Sequence, residues 1–254
     1  MGEPLEERTI GTISEYNNLI YKIFEQWEKE SENESPPHIW FRGQDRDEPL
    51  LPKVLRKIIN PNTGKECNYN EYYSFMQHYG IPTRLLDWTE NGLWALYFAV
   101  SSGAYDENLQ RVVWVMNPGA INRLTTGRSS SYAPLLSHVA HIQLRLKMPG
   151  SIDTDDKRSF DNLRLPVAFW PVSSGNIRIS AQKGCFTIHG TDNQRIESFF
   201  NNSEICKYLI KVKIQEESVV LLREQLRLMG GTPMSVYPDL FGLATELNSS
   251  RYMK

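Results

Sequence analysis

Residues 92–101, Gly-Leu-Trp-Ala-Leu-Tyr-Phe-Ala-Val-Ser, constrain the fold more than any other stretch of the chain. Leu93, Trp94, Leu96, Tyr97, Phe98 and Val100 leave no polar stripe, so a helix here has to be buried on every side. Strand-like segments are available to bury it. Arg111–Met116, Leu165–Trp170, Ile177–Ser180, Cys185–His189 and Tyr208–Ile214 are rich in β-branched and aromatic residues, and His38–Gly43 adds a short strand. Residues 13–28 read as an amphipathic helix: Thr12 and Glu15 have capping-box spacing, and Leu19, Ile23 and Trp27 recur at helical intervals. Further helices are expected at 66–79, 216–229 and 238–248, the last two separated by a Gly-Gly-Thr-Pro turn. Residues 124–162 carry few regular signals and read as a loop bordering the site. The expected fold class is α+β. It is a single domain with a mixed or split β-sheet core and flanking helices, in which a helix within residues 1–30 lies against a domain spanning 38–254.

Composition removes several function classes. The chain has 254 residues, enough to bury a substantial core. A formal net charge of -2 gives no global reason to bind nucleic acid. Three widely spaced cysteines, Cys67, Cys185 and Cys206, make neither a disulfide framework nor a zinc set, so a reducing cytoplasm is the simplest compartment. No apolar leader opens the sequence and no run of about 18 apolar residues occurs, so no membrane partner is expected. Metal motifs of the His-Glu-x-x-His or Cys-x-x-Cys type are missing, as are a glycine-rich phosphate loop and a Gly-x-Ser-x-Gly elbow.

Three polar motifs remain. In Trp40-Phe-Arg-Gly-Gln, an aromatic run delivers Arg42 next to Gly43 and Gln44. A guanidinium at the end of a buried strand calls for an anion, either an internal carboxylate or a ligand phosphate. Gly43 lets a ligand or another backbone approach. The second motif, residues 78–89, gathers His78, Tyr79, Thr83, Arg84, Asp87 and Trp88 around a glycine and a proline. It offers hydroxyl and guanidinium donors beside a stacking surface, which suits a nucleotide. A rigid connector in which Asp87 pairs with Arg84 or Arg42 explains the same residues. In the third, residues 177–190, Gln182 sits beside Gly184 and either reads a sugar hydroxyl or carboxamide or caps a backbone group. Cys185 reads as a small core residue, and His189 has no partner that would make it a base.

Together these blocks, with Ala95-Leu-Tyr-Phe-Ala, Ala181-Gln-Lys-Gly-Cys-Phe and the closing Tyr237-Pro-Asp-Leu-Phe-Gly-Leu-Ala, resemble the FRG domain family, named for the Phe-Arg-Gly triplet found here at 41–43. The resemblance runs from about residue 38 to 247. It implies a largely prokaryotic, phage-associated protein, and hence a role in phage–host conflict. A more distant similarity to ADP-ribosyltransferases implies a related sheet arrangement, with Arg42 holding a dinucleotide. Thr83 to Asp87 then fall near a second-strand motif, Ala95 to Ala99 form the helix, and Gln182 falls near the position of the catalytic glutamate. A neutral amide there departs from the transferase pattern, since one such electrostatic group is worth on the order of 100–1000-fold in rate.

The leading expectation is an NAD-consuming enzyme, a transferase or glycohydrolase with NAD as substrate, no metal, and a protein or nucleic-acid acceptor left open. Its ligand-binding residues would be Arg42, Gly43, Gln44, His78, Tyr79, Thr83, Arg84 and Trp88, and its catalytic residues Asp87 and Gln182. Two alternatives stand beside it: a module binding a nucleotide or modified nucleic acid unchanged, and a structural or interaction domain whose motifs form an internal ion-pair network.

Overall fold

The computed structural model describes residues 5–30, 36–52, 85–102, 110–126, 166–170, 177–189, 192, 194–201 and 204–248. Seven strands form one mixed sheet: β1 (Glu6–Ile10), β2 (Trp40–Gln44), β3 (Leu85–Thr89), β4 (Val112–Met116), β5 (Val167–Phe169), β6 (Gly184–Ile188) and β7 (Leu209–Ile214). Their spatial order is β1-β7-β4-β2-β3-β6-β5. Among the described residues only β1 runs parallel to its neighbour, with Glu6 opposite Ile210 and Ile10 opposite Ile214, and every other pairing is antiparallel. The α+β expectation of a mixed sheet with flanking helices matches this architecture.

Alternation along the strands sorts the side chains onto two faces. Phe41, Val113, Val115, Ile210, Val212 and Ile214 point to a first face. It is covered by α1 (Ile13–Glu30), α2 (Gly92–Val100) and the helix 219–228. Trp40, Leu86, Trp88, Trp114, Met116 and Leu209 point to a second face. Ala120 and Ile121 of α3 (Pro118–Thr126) pack there, with Leu50. The second core is rich in tryptophan, with Trp40, Trp88 and Trp114 buried, and full burial of a large apolar side chain contributes about 1.5–3 kcal/mol. β4, Val-Val-Trp-Val-Met, is buried throughout because it faces both cores, which is why it reads as a continuous apolar run.

Helix α2 is the apolar block of the sequence, and the fold encloses it against β2 and the first-face core. Asn91 caps its start, accepting from Leu93 N at 3.0 Å and Trp94 N at 3.3 Å. Two arginines close its other end. The fully buried Arg111 donates to the carbonyls of Ala99 and Ser102 at 3.0 Å each and pairs with Glu216 at 3.0 Å. Arg223 donates to Val100 O and, at 2.9 Å, to Ser102 O. Positive charge at a helix C-terminus answers its orphan carbonyls and dipole.

The remaining short helices are α4 (Ile177–Ala181), α5 (Ile196–Phe200), α6 (Val219–Leu228), α7 (Pro233–Val236) and α8 (Leu240–Asn248). Two of these elements change the sequence reading. Ile177–Ser180 is helical, not a strand, and none of its residues is buried. Residues 6–10 are a strand of the sheet, so the N-terminal segment contributes β1 as well as α1. The capping spacing of Thr12 and Glu15 is realised: Glu15 N donates to Thr12 Oγ1 at 3.1 Å. Helix 66–79 and the loop 124–162 lie largely outside the described residues, which there cover only 124–126.

Candidate functional site

The sheet has a seam between β2 and β3. These strands pair at one position, Phe41 opposite Thr89, whereas β2 pairs with β4 along its whole length. Arg42 stands just past that single pair. Its Nη1 donates to the main-chain carbonyl of Asp87 at 2.7 Å, so a side chain does what a ladder N–H would otherwise do. Arg42 is half-buried and shares the second face with Trp40 and Gln44 on its own strand. Trp114 lies directly opposite on β4, and Lys211 opposite Trp114 on β7. Lys211 Nζ rests 4.8 Å from the Trp114 ring centre and is matched by Asp47 at 2.8 Å and Glu7 at 3.8 Å.

Asp87 sits differently. Leu86 and Trp88 belong to the second-face core, so the Asp87 side chain between them points to the first face. Its carboxylate is exposed although β3 is an interior strand, and Phe186 lies opposite it on β6. Arg42 thus holds the backbone of Asp87 while the two charged groups point to opposite faces.

Gln182 lies at the first-face corner between α4 and β6. Its side-chain amide donates to Val236 O at 3.1 Å, and its own carbonyl accepts from Thr89 Oγ1 at 2.6 Å. Trp94 Nε1 donates to Ala181 O at 2.9 Å. Around the same corner Arg178 of α4 pairs with Asp239 and lies 5.3 Å from the Tyr237 ring centre and 5.4 Å from that of Phe241. The Arg178 guanidinium holds the Asp239 carboxyl below its ordinary range. The third sequence block and the Tyr237–Ala244 motif therefore interlock, with α2 beside them.

Other named residues have internal partners. At Gly43 an added Cβ would lie 1.7 Å from Ala95 O, so the close approach there is made by the backbone of α2. Gln44, 7% exposed, accepts from Trp114 Nε1 at 2.9 Å. Trp88 Nε1 donates to Thr187 Oγ1 at 3.1 Å, and its ring is buried. Burial pushes the Cys185 thiol well above its usual range, in keeping with a core role. His78, Tyr79, Thr83 and Arg84 lie outside the described residues. Sequence reasoning passed over Trp114, Lys211, Trp170 and Glu90. The first two become Arg42's neighbours only through strand register, which a single sequence does not display.

Among the described residues there is no group of three or more His, Cys, Asp or Glu side chains placed to hold a metal ion, and no helix is long and apolar enough to cross a membrane. A seven-stranded mixed sheet with an arginine set at its β2–β3 seam thus defines an α+β protein whose charged strand residues are divided between two faces. The FRG domain model matches residues 44–108, from the last residue of β2 through β3 and α2, and the Phe41–Gly43 triplet lies immediately before the matched stretch. No curated protein and no solved structure matches the chain.

Proposed function

We propose that this protein is a nucleotide-binding module that grips the phosphates of NAD or a related nucleotide through Arg42 and releases the ligand unchanged. The observation that carries this reading is the bond from Arg42 to the Asp87 carbonyl. A planar fork held in one orientation at the seam suits bidentate phosphate contact. Cleavage of the glycosidic bond would need a carboxylate close to the developing positive charge on ribose. The Asp87 carboxylate points to the face opposite Arg42, and the Gln182 amide is engaged with Val236 O. Both placements favour binding over NAD cleavage or ADP-ribose transfer. Resemblance to a phage-associated family would make such a module a sensor in phage–host conflict.

Calorimetry with NAD and with ADP-ribose, together with an assay of nicotinamide release, tests this. Wild type should bind, and Arg42→Ala should bind on the order of 10–100-fold more weakly, as expected for loss of charged hydrogen bonds worth about 1.5–3 kcal/mol. Nicotinamide should stay at the level of the Arg42→Ala control. Release above that control would replace this reading with an NAD-consuming enzyme. Failure of wild type to bind either ligand would remove it.

A further inference from the structure

We propose that the outer face of α8 docks on the same face of a second copy of this chain, the two helices running antiparallel about a two-fold axis.

Helix α8 is inverted for a surface helix, which ordinarily turns its apolar stripe to the core. Its inward residues are the buried Gly242 and, one turn on, the half-buried Glu246. A Cβ at Gly242 would lie 1.8 Å from Tyr237 O, and Glu246 Oε2 accepts from Met234 N at 3.0 Å, so both face α7 and the residue after it. Leu240, Leu243, Ala244 and Leu247 take the opposite side with the i, i+3, i+4, i+7 spacing of a packing stripe, and all four are exposed. Leu240 is 83% exposed and Phe241 beside it 57%. Among the described residues, nine of the twelve exposed large apolar side chains lie between Val220 and Leu247, so the exposure is local to this end of the chain.

Charge selects the occupant. Glu246 is the sole charged residue of α8 and is engaged with α7, while Asp239 at the helix start is paired with Arg178. The stripe is therefore neutral and the carboxylates at its border are already held. An anionic membrane or a nucleic acid is drawn by lysine and arginine, and α8 has neither. A two-fold contact sets a surface against itself, so any net charge on it would repel its own copy. A neutral leucine stripe meets that condition. Size agrees. Met234, Leu240, Phe241, Leu243 and Leu247 leave on the order of 300 Å² of apolar surface bare, at about 100 Å² for one such side chain fully exposed. With a polar rim around a contact about 65% apolar, two copies bury on the order of 1,000 Å², the lower bound of a specific interface. That size suits a dimer dissociating in the micromolar range. Antiparallel seating opposes the two helix dipoles, centres the contact on Leu243 and the small Ala244, and sets Leu240 against the partner's Leu247.

Sedimentation equilibrium of the full chain tests this. Wild type should dimerise with a micromolar dissociation constant. Leu240→Glu/Leu247→Glu, at two exposed positions, should weaken the dimer by about tenfold or more, whereas Val220→Glu on the outside of α6, also exposed, should leave it unchanged. Leu240→Glu/Leu247→Lys should regain at least tenfold over the double-glutamate chain, because each new charge then meets its opposite on the partner. Within one helix the two positions are about 10.5 Å apart along the axis, too far to pair with each other. A wild type that stays monomeric at several hundred micromolar overturns the proposal, and its sedimentation with neutral phosphatidylcholine vesicles would assign the face to a membrane instead. A dimer untouched by the double-glutamate change, one equally lost in Val220→Glu, or a glutamate–lysine chain no stronger than the double glutamate overturns it as well.

Discussion

Glu197 is a carboxylate taken out of water with limited compensation. It is 9% exposed, accepts from Leu50 N at 3.1 and 3.4 Å, and has Arg195 at 3.9 Å. Burial raises its pKa above the ordinary 4.5, and the hydrogen bonds and nearby positive charges only partly oppose it. A carboxyl whose folded pKa is raised stabilises the fold most fully below 4.5, and that contribution is lost as pH rises through the elevated folded value. Glu197→Gln keeps an acceptor for Leu50 N and removes the buried charge. In urea melts the variant should be more stable than wild type at pH 7–8, and the difference should close as the pH is taken toward 4.5. A variant that is less stable at pH 8 would mean that the charge on Glu197 is favourable where it sits. Arg42 and Asp87 teach a related lesson about single residues. Arg42 was legible in the sequence as a charged residue at the end of a strand, whereas Asp87 read as part of a polar loop or connector and lies on β3. Their opposite facing was not legible, because it depends on which neighbours enter which core, and Trp40 and Phe41 are apolar on both sides of the sheet.

Among the elements, α2 and β4 were readable because burial on all sides leaves no polar stripe to blur the signal. Strand β1 was not readable. Glu-Glu-Arg-Thr-Ile has one buried residue and owes its conformation to backbone pairing with β7. Ile177–Ser180 alternates like a strand, yet four residues are too few for a period to decide, and its helical form is held by Arg178 against Asp239 and the two aromatic rings. The contact between α2 and β2 gives a sharper test of element packing. At Gly43 a methyl group would lie 1.7 Å from Ala95 O and 2.9 Å from Ala99 N, both backbone atoms of a helix capped at each end. Neither can move aside without shifting the helix. Gly43→Ala should therefore cost at least about 3 kcal/mol, at the upper end of overpacking penalties. The denaturation midpoint in urea measures it. A midpoint within experimental error of wild type would show that α2 slides freely on β2.

At the scale of the whole molecule, residues 5–30 belong to the same packed body as the sheet. β1 closes one edge of the sheet against β7, and Tyr16, Ile23 and Trp27 of α1 are buried with Val212, Leu96 and Leu222 in one core. Trp27 Nε1 also donates to Lys207 O at 3.1 Å, Tyr16 Oη donates to Gly92 O at 3.0 Å, and Lys207 pairs with Glu30 at 2.9 Å. These bonds reach from the N-terminal segment to the start of α2 and to the turn that enters β7. The sequence reading of a single domain, with a helix within residues 1–30 packed on residues 38–254, is open to test by truncation. An N-terminal segment that folds apart from the sheet would leave a chain beginning at residue 31 with the sheet and its midpoint intact. The packing instead requires that chain to expose the edge of β7 and the apolar surface beneath α1, which removes several buried large side chains worth about 1.5–3 kcal/mol each. That loss is comparable to the whole stability of an ordinary domain, about 5–15 kcal/mol. Full-length protein should unfold in a single transition seen alike by tryptophan fluorescence and far-ultraviolet circular dichroism. The chain lacking residues 1–30 should show no cooperative transition, and a cooperative melt near the full-length midpoint would separate the N-terminal segment from the folding unit.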